Sequence, residues 1–229
     1  MFGKNKIMKK VDDPDKLWVH SVFLTIQGEG PFSGTPALFV RMAGCNLQCK
    51  FCDTEFENSD AYYTQKELAK KIMSETSSSL VNLIVFTGGE PLRQNIAWLI
   101  EHLLDQGLEV QVETAGTLWW PSLDKSRAYF VISPKTKRIS KELSEALAGG
   151  GLRVSWKYII DNECELNDRG LPKDVAEPPK WEKVNNIYVQ PCDTYKALLN
   201  KVNIQRCVDI SISHGYRVSL QTHKIMGVE

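Results

Sequence analysis

The sequence predicts an α/β fold: one sheet of mostly parallel strands, open or rolled into a barrel, with helices between the strands. Three observations carry this. Short apolar, β-rich runs alternate with helix-periodic runs from about residue 17 to the end. Nearly every strand-like run closes on a short polar or glycine-rich string, and α/β folds hold their ligands beyond the carboxyl ends of the strands. The 229 residues suit one good-sized core, and no repeat, low-complexity tract or linker divides them.

The elements follow in order. Residues 1–17 are polar, include Asp12-Asp13-Pro14-Asp15, and read as a flexible lead-in; residues 18–229 read as a single domain. Trp18–Ile26 and Ala37–Met42 are strands. Thr64-Gln65-Lys66-Glu67 has capping-box spacing and starts a helix through about Met73. Val81–Phe86, apolar but for Asn82, is a strand closing on Thr87-Gly88-Gly89-Glu90-Pro91. Asn95–Leu104 is a helix ended by Gly107, and Leu108–Val112 is a strand closing on Glu113-Thr114. Tyr129–Ile132 is a strand before Ser133-Pro134-Lys135, and Ser140–Ala148 is a helix stopped by three glycines. Val154–Ile160 is a strand. Residues 161–184 are polar and proline-containing, with only hints of a helix. Ile187–Val189 is a strand before Gln190-Pro191, Tyr195–His214 is mostly helical, and Arg217–Leu220 is a last strand before Gln221-Thr222-His223.

Composition narrows the function. Lys+Arg and Asp+Glu are both 28, so the formal charge is zero and there is no electrostatic footprint for nucleic acid or an anionic membrane. The basic start, Met-Phe-Gly-Lys-Asn-Lys-Ile-Met-Lys-Lys, has no apolar stretch behind it and is no signal peptide. The apolar runs are too short to cross a bilayer. The expectation is a cytoplasmic protein whose thiols stay reduced, where clustered cysteines point to a metal or catalytic site and not to a disulfide framework.

Three of the six cysteines, Cys45, Cys49 and Cys52, crowd into Gly44-Cys-Asn-Leu-Gln-Cys-Lys-Phe-Cys-Asp-Thr54. A zinc site normally takes four ligands, often as two separated pairs, and here there is one pair plus one. Zinc would need a His or Asp as fourth ligand. Three inert cysteines would be out of place in so polar a loop. An iron–sulfur cluster takes thiolates at such short spacing. Three ligands on a four-iron cubane leave one iron open to a small molecule.

Cys-x3-Cys-x2-Cys with Phe51 before the third cysteine resembles the signature of the radical S-adenosylmethionine enzymes, and Thr87-Gly88-Gly89-Glu90-Pro91 is similar to their second motif. The resemblance implies an incomplete TIM-like barrel, the radical S-adenosylmethionine core fold, with a 4Fe-4S cluster held by Cys45, Cys49 and Cys52. It implies that the open iron binds the amine and carboxylate of S-adenosyl-L-methionine. An electron from the cluster then breaks the carbon–sulfur bond to give a 5′-deoxyadenosyl radical. Gln27-Gly28-Glu29-Gly30, Arg41, Cys52-Asp53-Thr54, Glu113-Thr114-Ala115-Gly116-Thr117, Ser133-Pro134-Lys135, Gln190-Pro191 and Gln221-Thr222-His223-Lys224 narrow the resemblance to the 7-carboxy-7-deazaguanine synthase family, from about residue 18 to the end.

That family resemblance implies a lyase of queuosine-type 7-deazapurine biosynthesis. Its substrate is 6-carboxy-5,6,7,8-tetrahydropterin, whose ring contracts with loss of ammonia while S-adenosylmethionine is re-formed. It places Mg²⁺ on Thr54, and S-adenosylmethionine on Phe51, Cys52, Asp53, Gly89, Ser133, Pro134, Lys135 and Gln190. It places the substrate on Ile26, Gln27, Gly28, Glu29, Arg41, Thr87 and His223. The chemistry agrees at several of these. Arg41 offers a planar fork for a carboxylate, Gln27 and Glu29 suit a ring edge of donors and acceptors, and a threonine hydroxyl is a hard oxygen for Mg²⁺. The resemblance also implies a homodimer and an electron donor such as flavodoxin or ferredoxin, with no nucleic acid or membrane partner. His20, His102, His214, Cys164 and Cys207 read as packing or surface residues, and Cys192 as a buried small residue near the site. Two other readings compete: a glycyl-radical activating enzyme, which acts on a protein backbone, and a non-catalytic protein using the cysteine loop for structure. The tail Met226–Glu229 receives no role.

Overall fold

The computed structural model describes residues 4–57 and 61–228; Met1–Gly3 of the lead-in and Glu229 of the tail lie outside them. Among the described residues nine strands form one sheet: β1 (Leu17–Ile26), β2 (Pro36–Met42), β3 (Tyr62–Tyr63), β4 (Leu83–Gly88), β5 (Glu109–Thr114), β6 (Tyr129–Ile132), β7 (Arg153–Ile160), β8 (Ile187–Pro191) and β9 (Arg217–Val218). Their order is β3-β1-β2-β4-β5-β6-β7-β8-β9. From β2 to β9 every neighbouring pair is parallel, so the barrel is incomplete and its strands share one carboxyl end. The sequence does not show that β1 runs antiparallel to β2, and β3 to β1. The reason is connection length. Residues 27–35 close a hairpin and are too few for the crossover a parallel pair requires.

The helices are α1 (Gln65–Ser77), α2 (Ala97–Asp105), α3 (Lys141–Gly149), α4 (Ala197–His214) and α5 (Thr222–Met226). The expected capping box is present: Thr64 Oγ1 accepts from Glu67 N at 3.1 Å, and Glu67 Oε2 accepts from Thr64 N at 2.8 Å. Thr64→Ala removes half of it and should cost about 1 kcal/mol, lowering Tm by roughly 2–4 °C in calorimetry. An unchanged Tm would show that α1 is held by packing alone. The N-cap residue of α2, Ile96, has no side-chain acceptor, and Asn95 Oδ1 accepts from Ala97 N at 3.3 Å in its place. Gln65 of α1 adds a second acceptor, its side-chain oxygen accepting from Leu99 N at 3.0 Å.

The core runs along the sheet. Leu83, Ile84, Val85 and Phe86 of β4 are all buried, as an unbroken apolar run in the middle of a parallel sheet requires. Trp119, Trp156, Tyr158 and Phe130 are the bulkiest fully buried side chains nearby. Trp119 falls in the core.

Three segments differ from expectation. Residues 4–12, read as flexible lead-in, carry specific contacts. Ile7 bridges Cys45, Val11 bridges Gln94, and Asn5 is almost wholly buried. Residues 161–183 contain turns and no helix. Asp161 Oδ1 accepts from Glu163 N and Cys164 N, and Asn167 Oδ1 accepts from Arg169 N and Leu171 N. Such side-chain-to-backbone bonds compete with helix formation. The last strand stops at Val218, and residues 222–226 turn into α5, so His223 sits in a helix and not at a strand end. No helix among the described residues is long and apolar enough to cross a membrane.

Candidate active site

A cavity of about 520 Å³ opens at the shared carboxyl end of the parallel strands. The loop after β2 supplies Cys45, Cys49 and Cys52, all half-buried and all lining the cavity. Leu47 N donates to Cys45 Sγ at 3.4 Å, and Cys52 N to Cys49 O at 3.1 Å, which curls the loop. Burial pushes the Cys45 thiol up to about 12, with Glu90 and the other two thiols adding to it; burial also raises Cys49 and Cys52. At neutral pH these thiols keep their protons until a soft cation displaces them. Among the described residues no group of three or more His, Cys, Asp or Glu is pre-assembled to hold a metal ion. The donor set, three soft thiols on one loop without a fourth protein ligand, fits an iron–sulfur cluster and not a closed four-ligand zinc site.

The loop is held from both sides. On one side the lead-in runs beside it. Met8 N donates to Cys45 O at 2.8 Å, Asn5 Nδ2 to Leu47 O at 2.9 Å, and Gln48 Nε2 to Asn5 O at 2.5 Å. On the other side lies the glycine pair that ends β4. Gly89 N donates to Met42 O and Glu90 N to Gly44 O, both at 3.0 Å. A Cβ on Gly89 would stand 2.1 Å from Gly44 O, and one on Gly88, at φ +110°, 2.3 Å from Met42 O. Glycine is therefore required here so that the β4 end can touch the backbone that starts the cysteine loop. Glu90 is fully buried. It accepts from Thr114 Oγ1 at 2.7 Å, Ala115 N at 2.8 Å and Leu92 N at 3.1 Å, which locks this turn to the end of β5.

The opposite wall is a buried charge network. Lys157 of β7 pairs with Glu29 and, at 3.3 Å, with Glu113 Oε2 of β5. Glu113 Oε1 accepts from Gln27 Nε2 at 3.0 Å and Gln111 Nε2 at 2.9 Å. Glu29 Oε1 accepts from Gln221 Nε2 at 2.7 Å. Burial would raise Glu29, but the Lys157 charge and these hydrogen bonds hold it down at about 2. Burial works against the Lys157 charge too, and Glu113 and Glu29 outweigh it, so its ammonium is kept. Gln27 has both amide ends engaged, since its oxygen accepts from Glu29 N at 3.0 Å. It therefore fixes Glu29 and Glu113 against each other as well as facing the cavity.

A third wall carries Lys135, whose ammonium donates to Ser133 O at 3.0 Å and Ser133 Oγ at 2.5 Å, and stands 5.8 Å from the Phe51 ring centre. Burial and the Lys157 charge bring Lys135 down to about 8. At the rim, Lys224 bridges Asp53 at 2.9 Å and Asp193 at 3.0 Å, which joins the cysteine loop to α5. Thr54 Oγ1 lines the cavity and donates to Asp53 Oδ1 at 3.4 Å. Arg41 and Thr87, paired across β2 and β4, line it too, and the Arg41 guanidinium lies 5.0 Å from the Phe23 ring centre.

The structure thus gathers Gln27, Glu29, Arg41, Cys45, Cys49, Phe51, Cys52, Asp53, Thr54, Thr87, Gly89, Ser133, Lys135, Gln190 and His223 around one cavity. Ile26, Gly28 and Pro134 do not line it. Gly28 acts from behind: a Cβ there would meet His223 Nδ1 at 1.9 Å, so this glycine makes the seat of His223. Glu90, Glu113, Lys157, Gln221, Lys224 and Asn5 also line the cavity. Lys157 was legible by the same logic as Arg41, a lone charge within the apolar strand Val154-Ser-Trp-Lys-Tyr-Ile159. Asn5 carries no such mark.

Comparison with known proteins accords with this geometry. The chain is 36% identical to the 7-carboxy-7-deazaguanine synthase of Rhodospirillum rubrum, over all of both chains. It is 36% identical to that of Rickettsia prowazekii, over all of this chain and 96% of the relative. The chain belongs to the 7-carboxy-7-deazaguanine synthase family. Residues 39–140 match the Radical SAM superfamily, and that stretch runs from β2 through the cysteine loop, the glycine pair and the Ser133–Lys135 string to the start of α3. Family membership brings with it a 4Fe-4S cluster and S-adenosylmethionine. A relative from Hyperthermus butylicus is 43% identical over 66% of this chain and 68% of its own. The crystal structure of QueE from Escherichia coli superposes with a TM-score of 0.62 at 20% identity, covering 90% of this chain and 94% of that one, and it shares the fold.

Proposed function

We propose that the protein is the radical S-adenosylmethionine lyase that converts 6-carboxy-5,6,7,8-tetrahydropterin to 7-carboxy-7-deazaguanine, with loss of ammonia, in 7-deazapurine biosynthesis. One observation carries this beyond family membership: the three-thiol loop and the Arg41, Glu29, Glu113 and Lys157 wall face the same cavity. The named full-length relatives, and not the cavity's volume, disfavour the activating-enzyme reading.

When bound, the cluster and S-adenosylmethionine would supply hydrogen-abstraction chemistry beside the substrate. The chain's residues do the rest. Cys45, Cys49 and Cys52 hold the cluster. Phe51, Cys52, Asp53, Gly89, Ser133, Lys135 and Gln190 form the S-adenosylmethionine wall. Arg41 takes the substrate carboxylate, and Thr87 and His223 flank the ring. Glu29 accepts from its N–H edge. Thr54 offers its hydroxyl to Mg²⁺, with substrate oxygens and water completing the shell. A homodimer, a flavodoxin- or ferredoxin-type donor and a cytoplasmic setting complete the proposal.

The substrate side is tested with Arg41→Ala. Loss of a charge-assisted contact to a carboxylate is worth about 2–5 kcal/mol where the pair is desolvated, so KM for the carboxypterin should rise at least tenfold. Iron content should stay at the parent level. An unchanged KM removes Arg41 from the substrate.

A further inference from the structure

We infer that Lys157 is a positioning residue for substrate recognition: it holds Glu29 and Glu113 side by side as one paired acceptor facing the cavity. This rests on the pterin reading above and assigns it a residue that the sequence did not single out.

The observations are these. Lys157 lies in mid-strand on β7, paired in register with Tyr188 of β8. Its strand neighbours Trp156 and Tyr158 are buried in the core. Lys157 lines the cavity, with only 6% of its side chain exposed. The two carboxylates it joins come from distant parts of the chain, the turn after β1 and the end of β5, and are only 13% and 18% exposed. Side-chain amides from Gln27, Gln111 and Gln221 fix their other oxygens. So the direction in which each carboxylate presents its remaining lone pairs is set before any ligand arrives.

A purely structural reading explains this poorly. A buried ion pair is often no more stabilising than well-packed apolar residues in its place. Here two carboxylates share one ammonium, and all three groups face a cavity. Each carboxylate oxygen can accept more than one bond. The arrangement therefore suits a ligand edge rich in N–H donors, such as the amino-pyrimidine side of a pterin. Arg41, on β2, lines the same cavity and suits an acidic group of that substrate.

The experiment compares the parent, Lys157→Met, Lys157→Arg and Glu113→Gln as anaerobically reconstituted full-length proteins. Iron content, Tm, production of 5′-deoxyadenosine without pterin, and KM and kcat for 6-carboxytetrahydropterin are recorded for each. The expected result is a KM raised about tenfold or more in Lys157→Met and in Glu113→Gln, partial recovery in Lys157→Arg, and parent levels of iron and of pterin-independent 5′-deoxyadenosine. A parent-like KM in Lys157→Met overturns the proposal. If Lys157→Met does not fold, Glu113→Gln decides alone: it is isosteric and keeps the Lys157–Glu29 pair, and an unchanged KM overturns the proposal. Absence of product from the parent protein removes the substrate assignment, and this role with it. Product from the parent with unchanged KM in both variants removes only the role.

Discussion

Replacing Cys45, Cys49 or Cys52 singly by alanine should strip the iron and abolish cleavage of S-adenosylmethionine. The three thiols share one short loop and one cavity, and that loop, Gly44 to Thr54, holds no fourth cysteine. Loss even of a residue that only supports a ligand commonly costs about 10–100-fold in metal affinity, so loss of a ligand should cost more. Cys192 is the control that matters. It is buried and lines the same cavity, but its backbone is tied to β7 through Cys192 N to Ile160 O at 2.8 Å. Cys192→Ala should keep its iron. Iron analysis and the absorbance near 400 nm read both variants; iron retained in Cys49→Ala would refute the ligand set.

Gly89→Ala should damage both the fold and the cluster site through a single methyl group. The new Cβ would lie 2.1 Å from Gly44 O, 2.6 Å from Gly44 C and 3.1 Å from Cys45 N, all backbone atoms that no rotamer change can move aside. Relief requires the end of β4 to part from the cysteine loop. That breaks the Gly89–Met42 and Glu90–Gly44 hydrogen bonds. Overpacking of this kind costs about 1–3 kcal/mol, which for a chain of this size lowers Tm by roughly 2–12 °C. Because the parted segment carries Cys45, cluster retention should fall as well. Gly149→Ala is the matched control. It sits at the end of α3 with no heavy atom within 4 Å of the new Cβ, and Tm should hold or rise slightly. Equal Tm values for the two variants would mean that the glycine pair is not a packing requirement.

Much of this was written in the chain. Strand-length apolar runs and helix caps give the element order, and the polar strings at strand ends give the cavity wall. What stayed hidden depends on distance along the chain. The antiparallel entry of β1 follows from a short connection whose strands look like any others. The seat of His223 on Gly28 joins residues 195 positions apart, and Asn5 reaches the cysteine loop across 42. The role of the glycine pair was half legible. Close backbone approach is evident from Gly-Gly, but the partner is the chain's own cysteine loop, which only the register of β2 against β4 reveals. Residues 161–183 hold their shape through Asp161 and Asn167 side chains, a pattern with no period to read.

The central claim is that one cavity joins the three-thiol loop to the Arg41, Glu29, Glu113 and Lys157 side chains proposed to take the pterin. The measurement that tests it most directly is anaerobic turnover of the reconstituted protein with reductant, Mg²⁺, S-adenosylmethionine and 6-carboxytetrahydropterin. Mass spectrometry counts 7-carboxy-7-deazaguanine against 5′-deoxyadenosine. The account predicts product that depends on S-adenosylmethionine and greatly exceeds the 5′-deoxyadenosine released. Accumulation of 5′-deoxyadenosine without the deazaguanine would leave the radical chemistry standing and contradict the substrate.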